Sequence, residues 1–302
     1  MTSYDVLVAG AGPAGLSAAL VLARSRRSVL VCDWEERRNA ASTGIHGLLT
    51  REGCQPADFI AAAEQDLARY PTVSLRRMQV ASVMPDASGF RFMCADGYDG
   101  TAKKVLLATG LRDVLPELAG IAPLYGCSVH HCLYCDGFEY ADRPIAAYGD
   151  ADKGAGLALM MRHWSADVVL LTDGAAAPSA EMQARLAEHG ILTIDKRVAE
   201  LEGEGRSLRR VRFTDGTALA RDALFFSTGC EQKSDLSRQL GCVRDDKGGV
   251  VTDAVTEETS VPGVYVAGDV SRDVLLVAVA MGEGAKAGVA INRALLRTEG
   301  RI

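Results

Sequence analysis

Apolar and polar positions along the chain repeat at two periods, near two and near 3.6 residues, and their succession predicts the elements. Residues 4–9 form a short apolar strand, residues 16–25 carry apolar positions at helical spacing, and residues 28–32 form a second apolar strand. Gly10-Ala11-Gly12-Pro13-Ala14-Gly15 sits at the first turn and Asp33 at the end of the second strand. An amphipathic helix is expected over 55–70. It is followed by β-type runs at 73–83 and 90–95, a turn at Asp96-Gly97, and an apolar strand at 104–108 that leads into Thr109-Gly110. Pro116 and Pro123 flank a loop that reads as a boundary. A second strand, helix, strand pattern then runs through 145–149, 157–164 and 168–173, and 208–213 with 223–229 repeats the end of the first. The dinucleotide-type fold therefore occurs twice, as a duplication at domain scale. The chain closes on an apolar strand at 264–267, Gly268-Asp269, and a long helix over 276–296.

The glycine turn carries chemistry. Gly10 permits the tight turn, Gly12 lets the backbone approach a pyrophosphate, and Gly15 allows close helix–strand packing, while the helix N-terminus stabilises the anion. Asp33 falls about 20 residues beyond, where an acid accepts a hydrogen bond from an adenosine ribose hydroxyl. Glycine-rich turns open many α/β proteins, but strand, glycines, helix, strand and acid in one register point to a bound dinucleotide. Asp269 is placed to meet a cofactor hydroxyl or to cap the following helix.

Composition narrows the reading. The 302 residues are 48% hydrophobic and 24% charged with a net charge of −6. That allows two moderate domains and supplies no basic field for nucleic acid or an anionic membrane. The start of the sequence has no basic region ahead of an apolar core, so a cytoplasmic protein is expected. Of the eight cysteines, Cys32, Cys54, Cys94, Cys127, Cys230 and Cys242 read as packed thiols. Cys132 and Cys135 stand two residues apart, a spacing for metal or for reversible disulfide chemistry. No second CxxC or CxxH pair exists to complete a structural zinc site, which favours redox chemistry. The spacing lets both sulfurs share one turn at a helix start, where a thiol pKa can fall.

Four strings together, GAGPAG at 10–15, ATG at 108–110, CLYCDG at 132–137 and VAGD at 266–269, resemble the low-molecular-weight thioredoxin reductase family of flavoproteins. The resemblance covers nearly the whole chain. It implies an α/β fold of two Rossmann-like, three-layer ββα nucleotide-binding domains, the second inserted into the first. Residues 1–114 and 246–302 would hold FAD, and 115–245 would carry the cysteine pair. It also implies a homodimer. The FAD contacts would come from Gly10, Gly12, Pro13, Ala14, Gly15, Asp33, Arg38, Asn39, His46, Ala108, Thr109, Gly110, Gly268 and Asp269. The longer string from His130 to Glu139, with Arg38-Asn39, His46-Gly47 and Ser271-Arg272-Asp273-Val274, is similar to one branch of that family, the dithiol oxidases that close disulfides in gliotoxin-, holomycin- and romidepsin-type natural products.

By the same resemblance Cys135 would lie against the flavin, Cys132 would form the mixed disulfide with substrate, and Asp136 would shuttle the proton. His130, His131 and His46 are candidate bases, each balanced by a structural reading as a hydrogen-bonding group. Tyr134 and Phe138 would either line an apolar entrance for a small dithiol or pack against the flavin. The second glycine turn, Gly149-Asp150-Ala151-Asp152-Lys153-Gly154, has Ala151 in place of the second glycine and two carboxylates where phosphates would lie. No Arg or Lys follows at 172–178 to meet a 2′-phosphate. NADPH is disfavoured, and Asp173 leaves room for the ribose of NADH. Electrons would then run from a small-molecule dithiol through the cysteines to FAD and on to oxygen. The competing expectations are a thioredoxin reductase driven by a nicotinamide or another donor, and a non-catalytic flavin-binding sensor.

Overall fold

The computed structural model describes residues 2–271 and 274–302; Arg272 and Asp273 of the branch string lie outside the described residues. Two compact units emerge. The first comprises Met1–Arg38, Gly47–Arg112 and Glu231–Ile302, the second Asn39–His46 and Asp113–Cys230.

In the first unit, strands Val73–Arg76, Val29–Cys32, Thr2–Ala9 and Asp99–Leu107 lie side by side in parallel, with Val264–Val266 joining the far side of Asp99–Leu107. Strand Asp99–Leu107 is long enough to serve two purposes. Its second half pairs with Val264–Val266, while its first half pairs with the antiparallel hairpin Val80–Asp86 and Gly89–Cys94. Alternation of side chains along each strand sorts the core into two faces. Val6, Val8, Val29, Val31 and Leu106 face helices Pro13–Arg24, Pro56–Leu67 and Val277–Thr298, whereas Leu7, Ala9, Leu30, Val105 and Leu107 pack with the hairpin residues Val83, Phe90 and Phe92. Both faces of the sheet are covered, which is why these strands read as continuous apolar runs. The expected run at 73–83 is two strands, broken where the Met78 N–H turns back to the Arg76 carbonyl.

The second unit repeats this plan. A five-stranded parallel sheet runs Leu192–Ile194, Val168–Leu171, Ile145–Tyr148, Ala223–Phe226 and Val129–His130. Ile145, Ala147, Leu170 and Phe225 face helices Ala151–Met161 and Ala180–Glu188; Ala146, Val169, Leu171, Leu224 and Phe226 face a three-stranded antiparallel layer built from Val198–Glu204, Ser207–Phe213 and Ala218–Ala220. Each unit is thus helix, parallel sheet and antiparallel layer, the expected α/β, three-layer architecture.

The units divide the chain elsewhere than at 114/115 and 245/246. Residues 231–245 belong to the first unit because Leu236, Leu240 and Cys242 fill its core and the Gln232 amide donates to the carbonyls of Gly248 and Val270. Residues 39–46 belong to the second, where the Ala41 carbonyl accepts from Arg206 at 2.8 Å and a Cβ on Gly126 would come within 2.6 Å of it.

Candidate redox and dinucleotide sites

The edge strand Val129–His130 of the second unit runs straight into a single helical turn, Leu133–Asp136. Buried Leu133 anchors that turn in the core, and Cys132 caps it, its Sγ accepting the Cys135 N–H at 3.1 Å. Cys132 and Cys135 are joined as a disulfide, Cα to Cα 5.3 Å. Gly137 closes the turn: a Cβ there would stand 2.5 Å from the Leu133 carbonyl oxygen and 3.1 Å from the Trp164 indole. Trp164 also meets Tyr134 edge-on, ring centroids 5.8 Å apart. Tyr134 and Phe138 are 75% and 80% exposed.

His130 is buried, stacked on Phe225 at 5.3 Å, with Nδ1 3.3 Å from Asp136 Oδ2. Its Nε2 is buried without a hydrogen-bond partner, an arrangement that costs stability and marks sites with a chemical role. His131 Nδ1 lies 3.6 Å from Asp113 Oδ2, which also accepts from the Tyr125 hydroxyl at 2.8 Å. His46 Nδ1 lies 3.6 Å from Glu139 Oε1. His130 is thus the histidine that stands beside Asp136 of the cysteine turn. The Tyr140 hydroxyl donates to the Cys127 carbonyl, and burial pushes this phenol up to about 12. Burial also raises the Cys127 thiol, which makes it a poor nucleophile and fits its expected role as a packed thiol.

In the first unit the glycines divide the work as expected. Gly10 adopts φ +110°, and a Cβ there would stand 2.2 Å from the Ala108 carbonyl oxygen; one on Gly15 would stand 2.0 Å from that of Gly10. A Cβ on Gly12 would meet nothing within 4 Å. Pro13 begins the helix Pro13–Arg24, whose first turn has no acidic residue and no side-chain cap. Open backbone beside an uncapped helix N-terminus suits the pyrophosphate of a dinucleotide. A Cβ on Gly268, φ +77°, would stand 2.9 Å from Ala14 Cβ, and one on Gly284 2.1 Å from the Ala14 carbonyl oxygen, so the carboxyl-terminal segment seats closely on the glycine turn. Arg38 Nη1 pairs with Asp269 Oδ2 at 2.9 Å. Thr109 follows Ala108 at the end of the sheet, and Gly110 turns the chain with φ +70°. Asp33 stands at the end of its strand, but its carboxylate already accepts from Arg37 and Arg77. Asn39 and His46 fall in the second unit, apart from the other expected cofactor residues in sequence grouping.

The second unit's own turn is differently furnished. The Ala151 N–H, at the start of helix Ala151–Met161, donates to the Ala176 carbonyl at 2.9 Å, and Asp152 Oδ1 accepts the Ser179 N–H at 2.6 Å. Asp173, expected to be open to a ribose, accepts instead from the Tyr148 hydroxyl at 2.8 Å and the Val198 N–H at 2.6 Å.

A model of the pyridine nucleotide-disulphide oxidoreductases matches residues 4–284. The chain belongs to this family. It is 30% identical over 301 residues to a probable thioredoxin reductase of Arthroderma benhamiae, covering 89% of this chain and 74% of that protein. It is 31% identical over 278 residues to thioredoxin reductase tcpT of Claviceps purpurea, covering 88% and 86%. The crystal structure of HlmI superposes with a TM-score of 0.94 at 33% identity, over 99% of this chain and 94% of that one. The chain is thus a thioredoxin reductase-like flavoprotein and an oxidoreductase acting on sulfur groups, as the four strings implied. Among the described residues no helix is long and apolar enough to cross a membrane, and no group of three or more His, Cys, Asp or Glu is placed to hold a metal ion. Sequence reading missed Trp164, Tyr140, Arg37 and Arg77. Trp164 had one signal, an aromatic at the end of an apolar helix.

Proposed function

We propose that this flavoprotein oxidises a small-molecule dithiol to its intramolecular disulfide, with oxygen as final acceptor. The observation that carries the reading is the second unit's turn, where the Ala176 carbonyl occupies the Ala151 N–H at the helix start and the Asp152 carboxylate stands in the first turn. That N–H is what a nicotinamide dinucleotide needs for its pyrophosphate, and the carboxylate repels it. With that source of electrons opposed, the productive direction starts at a dithiol.

In the forward step a substrate thiolate attacks Cys132 Sγ, the Cys132–Cys135 bond breaks, and Cys135 leaves as a thiolate. The second substrate thiol, losing its proton, then attacks the substrate sulfur bound to Cys132, and that mixed disulfide breaks. Cys132 leaves as the reduced sulfur, and substrate departs as an intramolecular disulfide, two electrons and two protons fewer, with the two electrons left on the reduced Cys132 and Cys135. Asp136 Oδ2, 3.3 Å from His130 Nδ1, receives the thiol proton, and the buried imidazole fixes where that carboxyl stands. FAD, held at the glycine turn Gly10–Gly15 with Gly268 and Asp269, would supply the two-electron acceptor for the reduced cysteine pair, and oxygen would be the final acceptor. Exposed Tyr134 and Phe138, backed by Trp164, give a small apolar dithiol an aromatic surface beside the reacting sulfur. The homodimer and the cytoplasmic setting belong to this proposal.

Reduction of a protein disulfide by NADPH is the second reading, favoured by the relatives named thioredoxin reductase. Aerobic turnover separates the two. Oxidation of a generic dithiol with one peroxide per disulfide supports the oxidase; NADPH consumption coupled to disulfide reduction, without peroxide, overturns it.

A further inference from the structure

The Asp33 carboxylate is almost fully buried, which is costly for a charge unless it is paired. Two guanidiniums pair it. Arg37 and Arg77 both donate to Oδ2, while Oδ1 accepts the Glu35 N–H at 3.2 Å. Glu35 reaches that position with φ +62°, a left-handed backbone that a non-glycine residue adopts at a cost. Arg77 is itself fixed. Its Nη2 stands 2.8 Å from both Glu64 oxygens on helix Pro56–Leu67, and its Nε 3.1 Å from Glu35 Oε1. A carboxylate offers about four acceptor positions. Three donors are accounted for, so the open position is on Oδ1, at the end of the strand where the fold places the ribose of its dinucleotide.

We propose that Arg37 and Arg77 are positioning residues for FAD, holding the Asp33 carboxylate turned so that Oδ1 meets the adenosine ribose. This rests on the flavoprotein reading. The pair also changes what a basic cluster at this strand end signifies. Two free arginines here would suit a 2′-phosphate, but both are spent on carboxylates, which selects a ribose with a free hydroxyl.

The test titrates FAD into apoprotein and follows quenching of flavin fluorescence. Arg77→Ala and Arg37→Ala should each weaken binding about tenfold, the worth of one charge-assisted hydrogen bond. Neither should weaken it further in an Asp33→Asn background, because the arginines act through Asp33. At saturating FAD the turnover number should stay within about twofold of the parent, a split that general loosening of the fold would not give. Should Arg77→Ala fail to fold, Arg37→Ala carries the test alone, since Arg37 meets Glu64 only through a single 3.9 Å ion pair and its loss leaves the Arg77–Glu64 fork in place. Unchanged affinity, or losses that add in full to that of Asp33→Asn, would overturn the proposal. A parent apoprotein that takes up no FAD would sink the flavin reading itself, and that result is distinct from either of those.

Discussion

Replacing Gly12 with alanine separates the protein's own needs from those of its cofactor. Gly12 has φ −75° and ψ −177°, a conformation alanine adopts without strain, and its Cβ would meet no protein atom within 4 Å. The folded apoprotein therefore loses nothing, while the unfolded chain loses freedom, and the expected change is a gain of about 0.4–1 kcal/mol in apoprotein stability. The new methyl group fills the space in which a pyrophosphate would contact the backbone. Losing one charge-assisted hydrogen bond there costs about 1.5–3 kcal/mol, so FAD affinity should fall roughly ten- to a hundredfold. Urea unfolding of the apoprotein and FAD titration read the two effects separately. Gly15→Ala is the contrast, since its Cβ would stand 2.0 Å from the Gly10 carbonyl oxygen, and it should destabilise the apoprotein outright. A Gly12→Ala variant that binds FAD like the parent, or whose apoprotein is less stable, would refute the assignment of this turn to the pyrophosphate.

Three further outcomes follow from the second unit. Cys132→Ser and Cys135→Ser should each abolish peroxide-linked dithiol oxidation, measured with an oxygen electrode, because neither variant can re-form the disulfide. Ala151 carries φ +43°, so Ala151→Gly should raise stability by about 1 kcal/mol, read from urea unfolding, yet confer no NADPH binding by calorimetry because the Ala176 carbonyl still occupies its N–H. Tyr140 ionises higher in the folded chain, about 12, than in the unfolded chain, about 10; its contribution is therefore complete below pH 10 and is lost as pH rises toward 12. Tyr140→Phe should flatten that alkaline decline in thermal unfolding, and at neutral pH it should cost about 1 kcal/mol for the hydrogen bond to Cys127.

Much of the fold was legible because local and global preferences agree. Gly10 and Gly15 stand where a Cβ would strike backbone, and the alternation of Val6, Leu7, Val8 and Ala9 is read by two different core faces. The cysteine pair was legible from spacing alone. What escaped depends on residues distant in sequence. Nothing local in Leu236, Leu240 and Cys242 says which core they enter, so the sequence alone does not show that residues 231–245 group with the first unit. Asp33 was placed correctly at its strand end, yet its two arginines come from the following turn and from a later strand connection. Asp173 looked available for a ribose because its partners, Tyr148 and Val198, lie 25 residues away on either side. His130 and His131 are adjacent and read alike in sequence, yet the fold separates their surroundings: His130 is buried beside Asp136, and His131 is half-buried beside Asp113.

Anaerobic reduction of the bound flavin tests the direction of electron flow most directly. Mixed without oxygen with a small dithiol, the holoprotein should lose its flavin absorbance, and it should keep that absorbance with NADPH or NADH. Rapid bleaching by either nicotinamide, with none by the dithiol, would contradict the account.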